Sequence, residues 1–137
     1  MSHLLDTNAF VDHLRRGSKS KITARLLVAP PGTVYLCSVV LAELIFGAVQ
    51  SGAEKEAGNR ALISRLMIQF PTIPFDEASA EEYGKLRAIL TAAGQLIGPN
   101  DMMIAAIALA NGMTLVTHNT AEFIRVPGLL LDDWQGN

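Results

Sequence analysis

The feature that most constrains the fold is an alternation between two hydrophobic periods. Short apolar runs, several rich in β-branched or aromatic residues, recur between longer segments spaced like helices. "HLLD" (3–6) reads as a buried strand stopping at Asp6, followed by a helix over 7–15, and "ARLL" continues helical to the "APPG" breaker at 29–32. "TVYLCS" (33–38) is a second strand. Residues 39–51 are helical, ending near Gly52, and 54–69 form an amphipathic helix marked by Ile63, Leu66, Met67 and Phe70. "TIPF" (72–75) is a short strand or extended piece. Asp76 then caps a helix over 77–93, with Glu77 as a favourable first-turn charge. After a loop from Gly94 to Pro99 come a helix over 101–111 closed by Gly112 and a strand, "MTLVT" (113–117). "AEF" is a short turn, and "GLLL" (128–131) is a last strand or extended segment.

Strands separated by helices predict βαβ crossovers, hence an α/β fold with a central, mainly parallel sheet flanked by helices. With no repeat, low-complexity tract or linker, residues 1–137 are expected to form a single domain. In open sheets of this kind ligands gather beyond the carboxyl ends of the strands.

Composition narrows the function. Half of the residues are hydrophobic, enough for a core without staples. The mean hydropathy of +0.29 predicts surplus apolar surface, consistent with self-association or a partner. A net charge of −2 argues against the broad basic footprint of a high-affinity nucleic-acid binder, although a metal site brings its own positive charge. The basic run Arg15, Arg16, Lys19, Lys21 and Arg25 reads as a solvated helix face. Cys37 is the only cysteine, a small core residue suited to a reducing compartment. The start "MSHLLDTN" lacks the pattern of a signal peptide, and no apolar run reaches the roughly 18 residues of a membrane span. A cytoplasmic protein is expected.

The acids carry the chemistry. Asp6 follows a strand and precedes a helix, so it reads either as an N-cap or as a functional group; Asp101, after "IGPN", has the same two readings. Glu43 is different. It stands one turn inside its helix in "VVLAELIFGA", with Val39, Val40, Phe46 and Gly47 three and four residues away. A carboxylate buried there without a partner costs several kcal/mol, so it is paired, protonated, bound to something, or exposed at a helix edge. Glu122 reads as a surface or site residue, and Asp12, Asp132 and Asp133 as solvated or capping acids. Asp6, Glu43, Asp101, Asn119 and Glu122 all lie at, or within reach of, the carboxyl edge of the predicted sheet. Acids gathered there repel unless a hard divalent ion, Mg²⁺ or Mn²⁺, joins them through oxygen ligands.

"LLDTN", "SVVLAELIFGA", "IGPNDMMIAAIALANGMTLVTHNTAEF" and "RVPGLLLDDW", taken together and in order, resemble a PIN domain, more narrowly the VapC ribonuclease toxins of bacterial type II toxin–antitoxin modules. The resemblance covers essentially the whole chain. It implies a PIN-like parallel-sheet fold and a Mg²⁺-dependent endoribonuclease, with Mn²⁺ able to substitute. The family acids correspond to Asp6, Glu43 and Asp101, and Thr7 and Asn8 match the polar residues beside the first acid. Many relatives carry a further aspartate in a T-x-D pattern, where this chain has Thr117-His118-Asn119; Glu122 or water would then supply the missing oxygen. A homodimer, a VapB-like antitoxin that wraps the toxin, and a tRNA substrate are also implied. The ending looks most like the enteric-type proteins that cut the anticodon stem-loop of initiator tRNA. His118 is either a general base or a solvated loop residue, and Lys19, Lys21 and Arg87 are candidate RNA-backbone contacts on charge alone. Two alternatives remain: a PIN domain with a decayed site that only binds a partner, or a receiver-like phosphoacceptor, which normally has a second acid after the first strand and a lysine after the last core strand.

Overall fold

The computed structural model describes residues 1–136. Five short strands, β1 (His3–Leu5), β2 (Val34–Cys37), β3 (Thr72–Ile73), β4 (Thr114–Val116) and β5 (Leu131–Asp132), form one sheet in the order β3-β2-β1-β4-β5. Every pairing is parallel, with His3 opposite both Val34 and Thr114, and Val116 opposite Asp132. Parallel neighbours cannot be joined by tight turns, so helices make the crossovers. This order differs from the 2-1-3-4-5 arrangement of receiver-type phosphoacceptors, and topology separates the chain from that alternative.

The helices are α1 (Thr7–Arg16), α2 (Lys21–Val28), α3 (Ser38–Gln50), α4 (Ala53–Gln69), α5 (Glu77–Ala92), α6 (Pro99–Ala110) and α7 (Thr120–Phe123). Asp76 caps α5 as expected, accepting the Ser79 amide at 3.0 Å. Several boundaries differ from the sequence reading. Gly17, at φ +51°, ends α1, and a 3₁₀ turn separates it from α2. "AEF" belongs to a one-turn helix, "TIPF" contributes only two strand residues, and the last strand is Leu131–Asp132 rather than 128–131. That segment pairs through its carbonyls: Leu130 accepts the Leu115 amide at 2.9 Å and Asp132 the Thr117 amide at 3.0 Å.

The core lies on both faces of the sheet. Leu4, Leu5, Leu36 and Leu115 are fully enclosed, and Phe10 packs against Phe70 with ring centroids 5.7 Å apart. Helix α6 buries Ile104 through Ala108 in succession, which its small alanines permit by close approach to neighbours. Cys37 is a buried core residue as expected, and burial pushes its thiol up to about 11, which keeps it in the poorly nucleophilic thiol form. Apolar surplus is visible outside: Leu27, Val28, Phe46, Ile68 and Ile124 are exposed. No described helix is long and apolar enough to cross a membrane.

Candidate active site

Asp6 leaves the carboxyl end of β1 and is the N-cap that the sequence allowed. Its carboxylate caps α1 by accepting the Ala9 amide at 2.9 Å, and it is buried at the sheet edge. Burial raises its pKa above the ordinary aspartate value; the Thr117 hydroxyl and Ala9 amide oppose the rise, while Glu43 and Asp133 add to it. Thr117, at the end of β4, is buried and accepts the Asn119 amide at 3.0 Å.

Glu43 reaches the same edge from α3. It is half-buried rather than enclosed, and its partner is a hydroxyl: Thr7 Oγ1, from the first turn of α1, donates to Glu43 Oε1 at 2.5 Å. Its helix face is only partly covered: Val40 is buried, whereas Phe46 and Gly47 are exposed. Asn8 is exposed, with no side-chain hydrogen bond among the described residues.

Asp101 is not a cap. Helix α6 starts two residues earlier than expected, at Pro99, with Gly98 at the cap position and Asp101 inside the first turn. Gly98 has no side chain to cap with, and Glu122 does the job from α7: its Oε1 accepts the Gly98 amide at 3.1 Å, while its Oε2 accepts Asn119 Nδ2 at 2.5 Å. Burial and the charges of Glu122, Glu43 and Asp6 push the Asp101 carboxyl up to about 6. The first turn of a helix ordinarily favours an ionised acid, so the negative field around Asp101 outweighs the macrodipole.

Four acids from distant segments therefore share one field. The described ion pairs employ Asp12, Glu56, Asp132 and Asp133; none employs Asp6, Glu43, Asp101 or Glu122. An all-oxygen donor set with the Asp6 and Asp101 carboxyls raised and no ion-pair partner fits a hard divalent cation. It is not a preformed cage: among the described residues no three such side chains already converge as a ligand group. The hydrogen bonds give the reason, since neutral donors already hold Glu43 and Glu122 in place.

The other acids and bases mostly serve the fold or face solvent. Asp133, read as a solvated or capping acid, accepts the Gln135 amide at 2.9 Å and lies 3.0 Å from His118 Nδ1, and its charge is felt at Asp6. Asp12 accepts the Ser20 hydroxyl at 2.5 Å and Asp132 the Trp134 indole N–H at 3.0 Å, so both anchor the fold. All five residues of the basic run are exposed, as a solvated face requires; within it Arg16 meets Asp12, Arg25 meets Asp132, and Arg15 lines a cavity of about 220 Å³ that also touches Glu43. Arg87 donates to the Tyr83 hydroxyl, and Lys21 to the Gly136 carbonyl. The Glu122–Gly98 clasp had no sequence signal, because a bare glycine cap does not tell which distant group will complete it.

Comparison with known proteins identifies the family. The PIN domain family matches residues 3–129. The chain is 36% identical over 134 residues to Ribonuclease VapC2 of Rickettsia felis, covering 98% of each chain. It is 34% identical to the tRNA(fMet)-specific endonuclease VapC of Shigella flexneri, again over 98% of both. The crystal structure of Rickettsia felis VapBC2, bound to a DNA fragment from its promoter, contains a chain that superposes with a TM-score of 0.89 at 34% identity, covering 98% of this chain and 99% of that one. Family match, full-length relatives and the acidic edge of a 3-2-1-4-5 sheet lead to one assignment: the chain belongs to the PIN domain family, within its VapC ribonuclease branch.

Proposed function

We propose that the protein is the toxin of a VapBC-type module, a cytoplasmic Mg²⁺-dependent endoribonuclease that accepts Mn²⁺ and cleaves tRNA, with the anticodon stem-loop of initiator tRNA as the first substrate to test. The observation that carries the reading is the cluster of Asp6, Glu43, Asp101 and Glu122 with no basic partner, in which Asp101 is pushed up to about 6. Asp6 and Asp101 hold the ion, with Glu43 as a ligand or as the group that orients one. A bound divalent ion supplies charge neutralisation at the phosphate and a more acidic water.

The chain's own residues supply position. Thr7 fixes the Glu43 carboxylate, the Ala9 amide fixes Asp6, and Asn119 with Gly98 fixes Glu122. Thr117 steadies Asp6, and Asn8 faces solvent beside it, available to a strand. With groups held in advance, the barrier falls through orientation and charge compensation, and no covalent enzyme intermediate is required. In-line attack of water on phosphorus leaves a 5′-phosphate and a 3′-hydroxyl.

The partners follow the same reading: a VapB-like antitoxin covering the site, and a second copy of the chain in a homodimer. The exposed Leu27, Val28, Ile68 and Ile124 support coverage of this kind, as does the VapBC complex among the relatives. The name of the Shigella flexneri relative supports tRNA. Incubation with total tRNA and Mg²⁺, followed by mapping of the cut, tests the proposal. One discrete cut, lost on chelation and in Asp101→Asn, is expected. A folded wild type that binds Mn²⁺ but cuts no RNA would contradict it, and a wild type that binds no metal would favour an inert binding module.

A further inference from the structure

We propose that the groove between α3 and α6, beside the carboxylates, is a nucleobase subsite in which Phe46 stacks on a base flanking the scissile phosphate; this rests on the ribonuclease reading above. Among the five phenylalanines, two tyrosines and one tryptophan, Phe46 alone is exposed, at 66%. Leaving a phenylalanine ring in water forfeits burial energy that the other aromatics collect. It does so one helical turn beyond Glu43 on the same face of α3, about 4.5 Å along the axis.

The groove has a volume of about 560 Å³, and its lining includes Glu43, Phe46, Val39, Met103, Ser38 and Asn100. Glu43 belongs to both the groove and the acidic edge, so a strand with its phosphate at the carboxylates leads a neighbouring base onto Phe46. No lysine or arginine lines this space. It therefore suits the neutral part of a nucleotide, leaving the phosphate to the cation. Ser38 Oγ accepts the Phe75 amide at 3.0 Å, which leaves its own proton free to donate. The exposed Asn100 offers both a donor and an acceptor. An aromatic platform with polar groups at its rim is how proteins hold unstacked RNA bases, by stacking plus contacts to a base edge.

The test uses fluorescein-labelled single-stranded RNA of mixed sequence, and the same strand carrying one abasic ribose moved along it, with Ca²⁺ replacing Mg²⁺ during anisotropy measurements. Phe46→Ala should weaken the parent strand about tenfold. One abasic position should weaken the wild type similarly, with no further loss when the two are combined, and Phe46→Trp should retain binding. In tRNA cleavage, Phe46→Ala should raise KM and leave kcat within about twofold. Equal weakening at every abasic position, no effect of Phe46→Ala, or a changed oligomeric mass in that variant overturns the subsite, the last by giving the face to a second copy. If the wild type cuts tRNA while Phe46 proves irrelevant, only the subsite falls. If the wild type cuts no RNA, the ribonuclease reading fails and the subsite goes with it.

Discussion

Asp132 and Asp101 make an instructive pair. Asp132 closes β5 among partners: the Trp134 indole N–H donates to it at 3.0 Å, and the Arg25 guanidinium stands 3.8 Å away while stacking 5.0 Å over the Trp134 ring. His3 Nε2 lies 3.9 Å from it, and burial lowers the His3 pKa so that this contact is mainly polar at neutral pH. Asp101, in the first turn of α6, faces Glu122, Glu43 and Asp6. The first carboxylate is satisfied within the fold. The second adds to a charge the fold leaves uncompensated. Residue type and position near a helix or strand end are similar, so the surrounding charge decides which acid is structural and which is available for chemistry.

The largest test of that contrast is catalytic. Asp6→Asn or Asp101→Asn should reduce RNA cleavage on the order of a thousandfold with the fold intact, whereas Asp132→Asn should change it by no more than about twofold. Glu43→Gln should cost on the order of a hundredfold, as loss of a ligand or of its orienter does; a variant that merely melts earlier returns Glu43 to a structural role. Trp134→Ala should do the reverse, destabilising the protein by about 3 kcal/mol in denaturant titrations while the acid cluster survives.

A smaller effect lies in pH. The Asp101 carboxyl rises from 3.8 to about 6 on folding, so the native state favours its protonated form. The metal-free protein should therefore lose stability as pH rises from about 4 through about 6. That slope should be shallower in Asp101→Asn and in the presence of Mn²⁺, both read as melting temperature against pH. Arg25→Ala should have the smallest effect, about 1 kcal/mol of stability from a half-exposed ion pair and a cation–π contact.

Much of this was legible in the sequence because it depends on local pattern. The apolar runs ending at Asp6 and at Cys37 gave two strands of the sheet, and a glutamate inside "VVLAELIFGA" is conspicuous whatever the fold. The strand ends and the ordered motifs assigned Asp6, Glu43 and Asp101 to one edge of the sheet. What escaped depends on tertiary contact. Nothing local says that Thr7 will hold Glu43 across 36 residues, or that Glu122 will cap a helix begun 24 residues earlier. The start of α6 was missed because Pro99 looks like a stop, yet proline suits the first turn, where its absent N–H costs nothing. The exposure of Phe46 was hidden for the same reason: periodicity identifies an apolar face but not what covers it.

Function turns on whether the acidic edge binds one divalent cation. Calorimetric titration of Mn²⁺ into the metal-free protein addresses this directly. Saturable binding by the wild type and by Asp132→Asn, lost in both Asp6→Asn and Asp101→Asn, is the predicted result. Undiminished binding by a folded Asp101→Asn protein, or none by the wild type, would contradict it.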